Sequence, residues 1–333
     1  EMDTKVPWNK IPYSVIDSKE HRELAFKMAQ ESIVLLQNRN SLLPLDKGLK
    51  IAVIGPNAND SIMQWGNYNG FPSQTSTLLK SLKKKIPADN LIYEPGCDHT
   101  SDVTLQSLFQ QCHTDGKIGF SASYWNKQQP DSTAEVTAHV STPFHFTTAG
   151  ATVFAPGVQL GGFSAIYRST FKPTKSEEVV FSFHTQGYAR LSINGRQVAS
   201  APNMKSNRAY AMQVEAGKEY QIEVLFVATE GNCATLNFDL GREIPLNLKL
   251  AADKVKDADV VIFAGGISPG LEGEEMPVSI PGFKGGDREY IELPNVQTRL
   301  LAELKKAGKK IVFVNYSGSA VALTREAEMC DAI

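Results

Sequence analysis

The stretch VVIFAGGISPGLEGEEMPVSIPGFKGGDREYIELP, Val260 to Pro294, decides how the chain is read. It opens on an apolar run ending in Gly265-Gly266, the composition of a strand in the middle of a parallel sheet, covered on both faces. A helix is expected next, yet helical spacing returns only after Pro294, with Val296, Leu300, Leu301 and Leu304. Between them lies a long acidic loop. Open α/β sheets put ligands at the carboxyl ends of their strands, and a loop of this length exceeds a plain connection.

Glu272, Glu274 and Glu275 fall within four residues of that loop. Shielded from water, three such carboxylates do not all ionise readily, so at least one is expected to have a raised pKa, as a general acid requires. Spacing alone also fits a solvated acidic loop or a calcium site.

Two further apolar runs end in small or polar residues. Lys50-Ile-Ala-Val-Ile-Gly-Pro-Asn stops at Gly55 and Asn57, and Lys310-Ile-Val-Phe-Val-Asn-Tyr-Ser stops at Asn315 to Ser317. Together with Gly266, these ends are expected to converge on one edge of one sheet, a binding edge. Neither GxGxxG nor GxxxxGK[ST] follows them, which weakens a nucleotide-binding reading. Gly66-Asn67-Tyr68-Asn69-Gly70 offers aromatic and amide groups suited to a sugar, so Asn67 and Tyr68 are candidate substrate contacts, with a packed glycine loop as the other reading.

The remaining elements follow from local pattern. Ser18 is expected to cap a helix with an apolar stripe of Leu24, Met28, Ile33 and Leu36, preceded by an extended linker tethered by Trp8 and Tyr13. Thr77 to Lys85 reads as a basic amphipathic helix, and Asn90 to Cys97 as a strand. From about Gly116 to Leu240 helical periodicity stops, and short alternating runs appear: Phe163–Phe171, Glu178–His184, Ala189–Asn194 and Tyr220–Phe226. Asn194-Gly195 is a hairpin signal. His139, His145 and His184 lack metal-ligand spacing and read as strand residues.

Composition bounds the rest. The 333 residues accommodate two or three domains, with a net charge of -2 and both signs dispersed. Neither a nucleic-acid stripe nor a polybasic membrane face stands out, and no apolar run approaches the roughly 20 residues of a spanning helix. A neutral small molecule or sugar is the expected partner, with no nucleic acid, no membrane, no cofactor and no metal; a homo-oligomer stays open. Cys97, Cys112, Cys233 and Cys330 form neither a disulfide framework nor a CxxC site, and read as buried thiols ahead of a Cys97–Cys112 pair. The first residues lack signal-peptide character.

The acidic loop, Gly286-Asp287-Arg288 and Leu293-Pro294 together resemble the acid/base loop of glycoside hydrolase family 3, with Met276 to Lys284 as an insertion between its two halves. The succession from Ser18 to Asp98 is similar to the start of that family's second domain. Residues 116–241 resemble the protective-antigen-like lectin domain, in which an aromatic strand precedes the hairpin matched by Gly187 to Gly195; an acidic calcium pair is replaced here by Thr185-Gln186. The fold implied is a three-layer α/β sandwich with a mostly parallel sheet (18–112 and 242–333), interrupted by an all-β sandwich insertion. Residues 1–17 are then a linker from an upstream (β/α)8 barrel carrying the nucleophile, and further strands would follow Ile333. The resemblance implies a retaining exo-acting β-glycosidase, first a β-xylosidase and next a β-glucosidase, acting on an oligosaccharide or β-glycoside. Glu274 would be its general acid/base, with Glu272 and Glu275 as neighbours. A periplasmic or secreted location goes with that substrate class. A non-catalytic carbohydrate-binding protein is the rival reading.

Overall fold

The computed structural model describes residues 6–65, 74–203, 205–231, 233–276 and 278–333. Four strands form a parallel sheet in the order Leu91–Glu94, Ile51–Ile54, Val260–Gly266, Lys310–Tyr316. Period-two alternation divides its apolar side chains between two faces. Ala52, Ile54, Val261, Phe263, Ile311 and Phe313 face helices α3 (Leu248–Lys254), α4 (Asn295–Lys306) and α5 (Thr324–Met329), where Leu248, Val296, Leu300, Leu301 and Leu304 complete a buried cluster. Ile51, Val53, Val260, Ile262 and Val312 pack on the other face against Leu79 of α2 (Leu78–Lys83) and the leucines of the 42–49 segment. A strand buried on both sides reads as an unbroken apolar run, which is why Val260–Gly266 is buried at all seven positions.

The strands between Val103 and Pro245 are antiparallel and surround a separate core. One sheet runs in the order Lys205–Val214, Glu177–Gln186, Thr235–Pro245, Val103–Ser107, with Phe144–Thr147 also on Thr235–Pro245. A second is built on Tyr188–Ile193, Tyr220–Val227 and Ser164–Phe171, which Phe120–Trp125 joins at Ser164–Phe171. Phe120, Phe144, Phe163, Phe171, Phe181, Phe226 and Phe238 from both sheets share one buried cluster. Asn194 and Gly195 both take positive φ, 51° and 77°, in the two-residue hairpin between Tyr188–Ile193 and Arg196–Pro202. His139, His145 and His184 all lie in strands.

Val103–Ser107, within the stretch read as the α/β part, pairs antiparallel with Thr235–Pro245. Two expectations are corrected. Trp8 and Tyr13 do not tether the first segment; they are 68% and 86% exposed, in two short 3-10 turns. Ser18 does cap helix α1 (Lys19–Ser32), accepting from the His21 amide at 3.3 Å, but the helix ends before Ile33 and its stripe is exposed. Ile33 turns extended because the chain is captured from afar: the Leu36 and Gln37 amides donate to the Ile333 carbonyl, and Asn38 bridges to Ala332.

Candidate functional site

All four strands of the parallel sheet run the same way, so Gly55, Gly266 and Asn315 lie at one edge. The contact is close: the Asn57 amide donates to the Ala264 carbonyl at 3.0 Å, and a Cβ on Gly55 would sit 2.4 Å from that oxygen. Gly266 has φ +122°, and a Cβ there would meet the Tyr316 carbonyl oxygen at 1.9 Å. The strand end therefore requires glycine, for conformation and for space.

The acidic loop starts from this edge. Ile267 donates its amide to Tyr316 O at 2.9 Å, and a turn at Ser268 follows, whose carbonyl accepts from the Leu271 and Glu272 amides. The segment that separates the two halves of the motif in sequence folds back as a small antiparallel sheet of Ser279–Ile280, Phe283–Lys284 and Asp287–Arg288, with Phe283 buried. It returns the chain so that Gly273 N donates to Gly286 O at 3.0 Å and Met276 N to Gly285 O at 3.2 Å. Glu-Gly-Glu and Gly-Asp-Arg thus become spatial neighbours. A Cβ on Gly286 would lie 2.0 Å from the Gly273 oxygen, so this closure too depends on glycine.

The three carboxylates are treated differently. Glu272 is partly buried and its Oε2 accepts from the Ser319 hydroxyl at 2.7 Å. Arg288 holds the same loop, donating from Nη1 to Ser319 Oγ at 3.3 Å and to the Ala320 carbonyl, and from Nη2 to Glu292 O at 3.1 Å. Glu274 and Glu275 are exposed, and Glu275 takes a positive φ of 50°. Asn67 and Tyr68 lie outside the described residues. Among the described residues no group of three or more His, Cys, Asp or Glu side chains is arranged to hold a metal ion.

Beneath the loop lies a buried polar cluster that the sequence did not announce. Gln297, fully buried on α4, donates from Nε2 to Gly266 O at 2.7 Å and to His99 O at 2.9 Å, while its Oε1 accepts from Gly266 N at 2.8 Å. Asn57, also fully buried, meets His99 Nε2 through Oδ1 at 2.5 Å and donates from Nδ2 to Ile267 O at 3.4 Å. Burial lowers the pKa of His99, against the raising influence of Asp98 and Asp60. The signal available was Gln297 itself, an amide at a core position of the Val296, Leu300, Leu301, Leu304 stripe.

Residues 33–333 match the Glycosyl hydrolase family 3 C-terminal domain. The chain belongs to glycosyl hydrolase family 3. It is 43% identical over 339 residues to a xylan 1,4-beta-xylosidase of Xylanibacter ruminicola, covering 100% of this chain and 39% of that protein. A beta-xylosidase of Formosa agariphila is 43% identical over 88 residues, 24% of this chain and 12% of its own length. Among solved structures, the beta-glucosidase of Kluyveromyces marxianus matches 99% of this chain and 40% of that one, with a TM-score of 0.55 at 19% identity, a likeness of fold. The family 3 chain described here thus spans about two fifths of the Xylanibacter protein or less of these curated relatives.

Proposed function

We propose that this chain contributes the general acid/base loop of a retaining, exo-acting β-xylosidase of family 3, with Glu274 as the acid/base. The observation that carries this is the closure of Gly273 on Gly286, which makes one site of the two halves of the motif at the carboxyl edge of the sheet. The 43% identity with a xylan 1,4-beta-xylosidase along the full chain supports xylose as the sugar removed. Retention needs a second carboxylate as nucleophile about 5 Å from the acid. That group is expected in an upstream (β/α)8 barrel of the same protein, so this chain alone should be inactive.

The chemistry suits an exposed Glu on a loop. Such a Glu gives its proton to the leaving group as the nucleophile attacks the sugar, and then takes a proton from the water that releases the sugar. Glu274 lies exposed at the loop surface, and Glu272 accepts from the Ser319 hydroxyl. The domain division that goes with this reading is an α/β sandwich of residues 18–112 and 242–333, with a protective-antigen-like β-sandwich of residues 116–241 inserted in it. That module would shape the leaving-group side of the site.

In the complete protein, Glu274→Gln should slow substrates with poor leaving groups far more than activated aryl xylosides, and azide should restore turnover as the glycosyl azide. If Glu272→Gln or Glu275→Gln behaves this way instead, the role moves to that residue. A β-glucosidase is the second reading, favoured by the 23% identity over 94% of the chain to a probable beta-glucosidase J of Aspergillus fumigatus. The two sugars differ by one hydroxymethyl group, which a pocket discriminates by only about 1–3 kcal/mol. Comparing kcat/KM on aryl β-xyloside and β-glucoside decides between them.

A further inference from the structure

We infer that Gln297, Asn57 and His99 are positioning residues that set the root of the acidic loop, and through it the reach of Glu274. The inference rests on the acid/base reading above and deepens it. The loop leaves the sheet at Gly266 and Ile267, and both residues are gripped by buried side chains rather than by sheet pairing alone. Gln297 holds Gly266 through both its amide and its carbonyl, and spends its remaining N–H on the His99 carbonyl. Its primary amide therefore acts like a piece of strand continued in cross-section: one acceptor and two donors, all engaged, at a fully buried position. The Gly266 end cannot slide past it, since the backbone there is packed against Tyr316.

Asn57 and His99 hold the next residue. Asn57 can donate Nδ2–H to the Ile267 carbonyl only if its Oδ1 is the atom facing His99, and then His99 must present Nε2–H. The opposite tautomer would turn the Asn57 carbonyl toward the Ile267 carbonyl, two acceptors face to face. The imidazole thus fixes the orientation of an amide that in turn fixes the first residue of the loop. Both Asn57 and Gln297 are completely buried, where an amide without partners is costly, so the cluster has one consistent arrangement. Three elements converge on it: the end of the Ile51–Ile54 strand through Asn57, the segment after Leu91–Glu94 through His99, and α4 through Gln297.

The test uses the complete protein with Gln297→Met, similar in length but without the three hydrogen bonds, and the pair His99→Phe and His99→Gln. A misaimed acid should show where protonation of the leaving group matters: kcat/KM on xylobiose should fall at least about tenfold in Gln297→Met and His99→Phe, with kcat/KM on dinitrophenyl β-xyloside within about twofold. His99→Gln, whose amide can again donate to Asn57 Oδ1, should recover most of the loss. Equal falls on both substrates, or a His99→Gln variant no better than His99→Phe, would overturn the inference. Hydrogen exchange gives a readout apart from activity: amides of Ile267 to Met276 should exchange faster in Gln297→Met while those of Ile51–Ile54 keep their protection, and unchanged loop protection would likewise overturn it. If the unaltered protein cleaves neither substrate, the glycosidase reading has failed, and the exchange result alone judges the anchoring.

Discussion

Gly266→Ala tests the strand end on which the site is built. The added Cβ would lie 1.9 Å from the Tyr316 carbonyl oxygen, 2.8 Å from its carbon and 2.9 Å from the Tyr316 nitrogen, all backbone atoms. The collision cannot be relieved locally, because Gly266 pairs with Tyr316 in the parallel ladder and Gln297 holds its N–H and its C=O. A φ of +122° lies outside the regions an alanine tolerates, a strain of about 1–3 kcal/mol if it is kept. Relieving the clash also means moving the strand end away from Tyr316, which lengthens the Ile267 N–Tyr316 O and Gly266 N–Gln297 Oε1 bonds, about 1 kcal/mol each. The expected destabilisation is therefore about 3–5 kcal/mol, combining both effects. Gly308→Ala is the control: φ is +71° with nothing within 4 Å of its Cβ, so about 1 kcal/mol is expected from backbone strain alone. Urea denaturation should be followed by hydrogen exchange at Val261 and Ile262, which report on the parallel sheet rather than on the antiparallel core. A Gly266→Ala loss no larger than that of the control would refute the packing described here.

Ser319→Ala removes the hydroxyl that donates to Glu272 and should cost about 1 kcal/mol in the same assay, modest because the pair is partly exposed. His99 has a folded pKa below its unfolded value, so the unfolded chain binds more protons; stability should be fully present above the unfolded pKa and decline as pH falls through it toward the folded value. His99→Gln should flatten the pH dependence of the urea midpoint between about pH 7 and 5, and an unchanged slope would contradict the burial of the ring. All four cysteines are buried and outside any disulfide, with burial raising Cys330 to about 12 and Cys233 to about 11, so none should react with a disulfide reagent near pH 8 until the chain is unfolded in urea.

Much of the fold was legible because its strands carry their own signal. Ile51–Ile54 and Val260–Gly266 are apolar at every position, and Asn194-Gly195 names its turn. What escaped depends on partners distant in sequence. Val103–Ser107 has no apolar pattern, being exposed or intermediate throughout, and is a strand only because Thr235–Pro245 lies beside it. The stripe on α1 has the right period, but a period states that a face is apolar and not that anything covers it. Gln297 and His99 escaped for a related reason: a lone amide or imidazole gives no hint of which carbonyl it will meet.

The same distinction bears on the three carboxylates. By charge and spacing they are alike, three carboxylates in four residues, and only the resemblance to family 3 singles out Glu274. The fold breaks the equivalence through residues far along the chain: Ser319, after the Lys310–Tyr316 strand, takes Glu272, and Arg288 ties Ser319 and Ala320 to the Gly-Asp-Arg half of the motif. Glu274 is exposed one residue beyond Gly273, whose amide donates to Gly286 O. On the proposed reading, an acid that meets a nucleophile on another domain is suited by an exposed position beside a hydrogen-bonded backbone. Of the two exposed carboxylates, Glu274 is the one adjoining that pinned glycine, whereas Glu275 occupies a positive-φ turn position where the chain bends back toward Met276 and Gly285.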